Sequence, residues 1–210
     1  MKIIRIPLVA FAVLFAAVMS PLAAVAQERN ADLPNYEILF PNYQYQATVS
    51  SLQEVDFKNL TVFWFRKEGS PRSLKLTNGG YEKDDQYHGG QYITLDLMKF
   101  LDGNEQEARQ AVIDIDWRSC GGSCSEFGLA QVFDLRSGHP TVIEQIRYER
   151  HAPNTGASMD LPSKVLTLTG RSAEPSANCC PKSLDVMSFR WSGKEFAFAE
   201  RKRVAVGDSP

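Results

Sequence analysis

From Asn59 onward, β-branched and aromatic runs recur about every 10 to 20 residues, separated by Gly, Pro, Asn and Ser. No stretch between them has the 3.6-residue periodicity of an amphipathic helix strongly enough to compete. This pattern specifies an all-β fold: an antiparallel β-sandwich or a partly closed β-barrel, with little helix beyond the N-terminal segment. Residues 59–65 (NLTVFWF) are apolar on both faces, which places them mid-sheet or between layers. In residues 92–100 (YITLDLMKF), alternation puts Ile93, Leu95 and Leu97 on one face and Thr94 and Asp96 on the other. Residues 111–117 (AVIDIDW) alternate in the same way, with Ile113, Ile115 and Trp117 inward and Asp114 and Asp116 toward solvent. Turn signals at Asn78-Gly79-Gly80, Ser137-Gly138 and Ser192-Gly193 mark three chain reversals. The helix formers of residues 98–111 offer one helical alternative.

Residues 1–26 are organised differently. Lys2 and Arg5 precede an apolar run from Ile6 to Met19, and Ala24-Val25-Ala26 supplies a small-residue cleavage site. The run is shorter than the roughly 20 residues that a membrane span needs. We expect a signal peptide cleaved after Ala26, a polar leader over residues 27–47, a single β-rich domain over 48–204 and a disordered tail over 205–210. No cysteine sits at the cleavage junction, so the expected product is periplasmic or secreted, with no membrane association after cleavage.

The 210-residue chain carries 23 basic and 25 acidic side chains. Losing Lys2 and Arg5 leaves 21 basic residues and a formal charge of −4. A nucleic-acid partner calls for a basic surface, so this balance argues against one.

Four cysteines remain after cleavage: Cys120, Cys124, Cys179 and Cys180. In an exported chain an even number points to disulfides rather than metal ligands. Three pairings are open. The rarity of vicinal disulfides favours stitching the 120–124 loop to the 179–180 loop. In a simple meander those loops fall at opposite ends of strands about 30 Å long, far beyond disulfide reach. Stitching therefore requires a crossover or Greek-key path.

Other chemistry is thinly represented. Asp114 and Asp116 share a strand face about 7 Å apart, a spacing that suits acid and base in glycoside hydrolysis; the alternative is a solvated sheet face. Asp102, Asn104 and Gln106 alternate loosely like calcium ligands, but Glu107 occupies the position that needs glycine. His88, His139 and His151 have no metal-pair spacing, and no metal or cofactor is expected. Gly121-Gly122-Ser123 approaches a nucleophile elbow, but Ser125 replaces its last glycine. Motifs thus give no reason to propose an enzyme. Phe63, Trp64 and Phe65 are the candidate ligand-contacting aromatics.

The order AVIDIDW, CGGSC, NCCPKS and FRWSGKEF across residues 111–198 resembles that of uncharacterised exported bacterial proteins, including the LppP/LprE-type lipoproteins. In that set a CCP motif precedes an R-W-x-G hairpin. The resemblance implies export and β-architecture, and carries over no catalytic residue. Together these features lead us to expect a non-catalytic module that binds a protein or glycan. One alternative is a periplasmic hydrolase inhibitor presenting the Cys120–Cys124 loop; another is a glycoside hydrolase-like enzyme using Asp114 and Asp116.

Overall fold

The computed structural model describes residues 36–83, 90–102, 107–121, 123–150, 152, 154–172 and 181–206. The expected signal peptide, Cys179, Cys180, His88 and His151 lie outside the described residues. The elements are β1 (Tyr36–Leu39), β2 (Tyr43–Gln44), two 3-10 turns (Leu52–Glu54 and Phe57–Asn59), β3 (Thr61–Trp64), β4 (Arg72–Lys75), β5 (Gly80–Lys83), β6 (Gln91–Phe100) and β7 (Gln110–Gly121). They continue with β8 (Ser123–Arg136), β9 (His139–Glu149), β10 (Gly156–Asp160), β11 (Val165–Arg171), β12 (Ser183–Trp191) and β13 (Phe196–Ala205).

All strand pairs are antiparallel. The central sheet runs β1-β9-β8-β7-β6-β5, with β2 also on β9. A four-stranded meander, β10 to β13, forms a second sheet, and β3 with β4 forms a third. Among the described residues no sheet closes into a barrel, and the architecture is that of a layered sandwich. The polar leader contributes β1 and β2 to the central sheet. Residues 98–100 are extended in β6 rather than helical, and β13 continues to Ala205, the first residue of the expected tail.

The β8–β9 reversal follows directly from its sequence. Ser137 and Gly138 adopt φ of 51° and 80°, the left-handed pair that matches a two-residue turn to the twist of its flanking strands. The long hairpin on either side forms the middle of the molecule.

Both faces of the central sheet are covered. On one face Val112, Val132, Ile146 and Tyr148 pack against Leu166, Leu168, Met187 and Phe189 of the second sheet. On the other, Ile113, Ile115, Leu129 and Phe133 pack against Leu52, Phe57, Val62 and Leu76. Asp114 and Asp116 point the same way as Val112. The expectation that they meet solvent is therefore wrong: Asp114 is fully buried and Asp116 largely so. Alternation identifies which residues share a face, not whether something covers it.

A second correction concerns β6. The register with β7 slips between Leu95 and Leu97, leaving Asp96 as the extra residue of a β-bulge. Leu97 consequently joins the opposite core from Ile93 and Leu95. Asp96 keeps the face that alternation gives it, opposite Ile93 and Leu95, and that is the face that holds Asp114.

The outer layer is tied to the sheet by two buried glutamines. Gln145 of β9 accepts from the Phe65 backbone N–H at 3.1 Å and donates to the Phe65 carbonyl at 2.9 Å. Gln131 of β8 donates to the Phe63 carbonyl at 2.6 Å and to Gln145 Oε1 at 3.0 Å. The side chains thus reproduce, perpendicular to the sheet, the hydrogen bonds that a neighbouring strand would make. Replacing Gln145 with Leu strands a backbone donor and acceptor together, so the expected cost is about 2 kcal/mol or more in urea unfolding. Hydrogen exchange should accelerate at the Phe65 amide and not within β7 and β8; equal acceleration throughout would contradict a local tether.

Candidate functional site

The sequence nominated three places: the consecutive aromatics of β3, the aspartates of β7 and the cysteine loop. The glutamine tether fixes the first. Alternation along β3 splits the aromatics. Trp64 turns toward the sheet, with ring centroids 4.6 Å from Phe127 and 5.7 Å from Trp117. Phe63 and Phe65 turn toward Tyr43 of β2, at 4.4 and 5.5 Å. All three remain half-buried, so they are neither a wholly exposed stripe nor wholly core.

Three arginines converge on Trp64. The guanidinium carbons of Arg66, Arg72 and Arg147 lie 5.8, 5.3 and 5.9 Å from the indole centroid, and Arg147 is also 4.8 Å from that of Phe127. Each contact contributes about 0.5–1 kcal/mol near a surface, yet gathering like charges around one ring opposes that gain. Arg147 has Glu149 at 2.6 Å as counter-charge. Arg66 donates only to a neutral carbonyl, that of Ser70 at 2.9 Å. Among the described residues no carboxylate forms an ion pair with Arg66, Arg72 or the neighbouring Lys67. The buried polar atoms without a partner around the indole are Trp64 Nε1, Arg66 Nε and Arg147 Nε, and in the adjoining glutamine tether the acceptor Gln131 Oε1. The site is therefore electropositive.

Beside it runs a groove of about 440 Å³, between the end of β1 and the β3–β4 loop. Phe40, Pro41, Phe65 and Pro71 supply apolar walls, and Arg66 and Lys67 a basic edge. Phe40 is 40% exposed, an unusual state for phenylalanine.

The aspartates form a different kind of constellation, on the face between the first and second sheets, with Asp114 fully buried and Asp96 exposed at its margin. Arg150 Nη1 lies 2.7 Å from Asp96 and 3.5 Å from Asp114, and its Nε is 3.9 Å from Asp116. The Tyr148 hydroxyl donates to Asp114 at 2.8 Å. Tyr148 reaches it by lying over Gly128, its partner across the β8–β9 pair. A Cβ at position 128 would collide with the Tyr148 ring. A glycine inside a strand pattern is a sequence sign of such close approach; Asp96, Tyr148 and Arg150 gave no comparable sign.

Burial pushes the Asp114 carboxyl up to about 7, against the lowering pull of Arg150 and Tyr148. Asp116 is also raised, again chiefly by burial and against Arg150. The chemistry is thus that of carboxylates gathered on one guanidinium, with Asp114 at the buried end. Asp114 has no exposed surface with which to meet a sugar, which removes the geometric support for a hydrolytic pair. Among the described residues no group of three His, Cys, Asp or Glu side chains is placed to hold a metal ion. Asp102 of the expected polar turn instead accepts the Arg109 amide at 2.5 Å, and His139 contacts the Ala47 carbonyl at 2.9 Å.

Cys120 and Cys124 face each other across β7 and β8 and are bonded together, with Cα atoms 4.0 Å apart. The stitched arrangement favoured by the sequence is therefore not formed. The central strands run as a simple meander, and the cysteine loop is the tip of one hairpin. That tip extends past the last β8–β9 pair, Phe127 with Glu149.

The fold and these sites together define an all-β, antiparallel layered protein with an internal ion network and an external aromatic–cationic face. Comparison with family models, curated proteins and solved structures returned no match.

Two measurements test this geometry. The folded carboxyl of Asp114, at about 7, holds its proton more tightly than the ordinary 3.8 of an unfolded chain. Its contribution to stability is therefore fully present below the lower value and is lost as pH rises through the higher. Asp114→Asn should accordingly match or exceed the wild type at pH 8 and lose that advantage toward pH 4, the swing being on the order of a few kcal/mol at most. Parallel urea-stability profiles would refute the assignment. For the hairpin tip, the sequence separation of 4 closes a small loop. Replacing Cys120 and Cys124 together with Ser should therefore cost about 2 kcal/mol, rather than the roughly 4 of a cross-loop bridge. A non-reducing peptide map should recover Cys120 linked to Cys124.

Proposed function

We propose that this chain is an exported, non-catalytic binding module for a protein or a glycan, acting in the periplasm or after secretion, with the face built on Phe63, Trp64 and Phe65 as its contact surface. The observation that carries the reading is the convergence of Arg66, Arg72 and Arg147 on half-buried Trp64. Aromatic and arginine side chains dominate binding energy where partners meet, because they bury large areas with few rotors and offer fixed donors. Here the surrounding structure already holds them in place: the glutamines fix β3, and β3 fixes Trp64. Export rests on the charged, apolar and small-residue zones of residues 1–26.

A second reading draws on the hairpin tip. A loop closed by Cys120 and Cys124, reaching beyond its neighbouring strand, suits insertion into a hydrolase cleft. That role requires inhibition that disappears when both cysteines are replaced.

The binding reading is tested by titrating soluble peptides and oligosaccharides, charged and neutral, against the purified protein. A ligand of this face should bind about tenfold more weakly to Arg72→Ala, an exposed position whose loss leaves the core intact. If every ligand found binds wild type and variant equally, the contact surface lies elsewhere. Turnover of a ligand by the protein would replace the module with an enzyme.

A further inference from the structure

We propose that the groove between residues 39–41 and 65–71 docks an acidic protein segment, one apolar side chain entering between Phe40, Pro41, Phe65 and Pro71 while its carboxylates meet Arg66, Lys67 and Arg72. This rests on the binding-module reading and specifies its ligand.

Charge gives the first argument. The mature chain is acidic overall by sequence, yet this face gathers three arginines and Lys67 around one indole and one groove. Glu68 is exposed in the same loop and pairs with none of them. The counter-charge that the chain withholds is what a carboxylate-bearing ligand brings, and such complementarity steers encounter as well as holding the complex.

The indole selects peptide over glycan. A sugar bound by an aromatic platform needs an open ring face. The Trp64 ring is already contacted by Trp117, Phe127 and three guanidinium groups. What stays open lies next to it, a concave groove walled by two prolines and two phenylalanines. Such walls accept a side chain of leucine or phenylalanine type through area burial, at roughly 25 cal/mol for each Å² removed from water. An apolar anchor flanked by acids satisfies both halves of the site, whereas a uronic or sulfated glycan satisfies only the basic half.

The experiment uses the protein from Gln27 onward and a displayed library of random peptides of about 12 residues. Selection on the wild type, with counter-selection on a Lys67→Glu, Arg72→Glu variant, should enrich peptides with several Asp or Glu flanking one aromatic or aliphatic residue. A synthetic winner should bind at least roughly tenfold more weakly to the variant, because both contacts become repulsive. Its affinity should fall with added salt, and Phe40→Ser should weaken it independently of charge. Circular dichroism and urea unfolding of both variants confirm that they fold; Lys67, Arg72 and Phe40 are all exposed. Oligogalacturonate and a heparin-derived oligosaccharide form the parallel arm. If one of these binds in an Arg72-dependent way and no acidic peptide does, the peptide assignment is overturned and the module reading survives. If neither peptide nor glycan binds with dependence on Arg72, both are overturned.

Discussion

The central sheet is covered on both faces, and most of the molecule's polar design follows from that constraint. A polar side chain on β7, β8 or β9 has no water to turn to, so it must find a partner in an adjoining layer. Gln131 finds its partner in the backbone of β3 at Phe63, and Gln145 finds its own in Phe65, the residue that follows the strand. Glu144 accepts the Phe196 amide of the second sheet at 2.7 Å. Tyr36 of β1 donates to the Asp185 carbonyl at 3.2 Å, and Trp191 donates to Gln110 Oε1 at 3.3 Å. Apolar contact presses the layers together without fixing their relative register. These hydrogen bonds fix it, because each one left unmade would leave a buried group unsatisfied.

The strands and their turns were legible because they rest on local chemistry. The Ser137-Gly138 reversal needs only two residues that tolerate positive φ, and β7 shows its alternation in seven letters. The covering of the second face was illegible for a physical reason. A strand with one wet face and a strand whose second face holds a buried ion network both read apolar–polar–apolar. Asp114 looks the same in either case; what separates them is Tyr148, 34 residues further on, and Arg150 two beyond that, in no periodic relation to it. The bulge at Asp96 was hidden similarly, since an extra residue changes which face every later side chain takes without leaving a mark in composition.

The cysteines show how a sound premise can lead to the wrong pairing. The rarity of vicinal disulfides argued for stitching, and strand length argued against it in a meander. Cys120 bonds Cys124 across the hairpin tip, while the strands flanking the 179–180 pair belong to the second sheet, so neither premise reached the actual pairing. A bond across a hairpin tip contributes little to closing a long loop. Its effect is local, holding together the end of two strands that outrun β9.

The two charged constellations differ in a way that sorts framework from contact surface. Asp96, Asp114 and Asp116 share Arg150, and Asp114 adds Tyr148; the network runs from the exposed Asp96 inward to the fully buried Asp114. Its one cation is held by carboxylates, and burial is the largest influence on the proton affinity of Asp114 and Asp116. Around Trp64 the balance is left open. Arg147 has Glu149, but Arg66, Arg72 and Lys67 have no acid among the described residues, and the indole and guanidinium atoms Trp64 Nε1, Arg66 Nε and Arg147 Nε are without a partner. A cation held near other cations is stabilised less by its own fold than one paired to a carboxylate. It gains correspondingly more when an anion arrives. The three carboxylates outnumber Arg150, and burial offsets part of that excess by raising the proton affinity of Asp114 and Asp116. That network belongs to the architecture, whereas positive charge held rigidly at the mouth of an apolar groove supports a role in meeting something outside the chain.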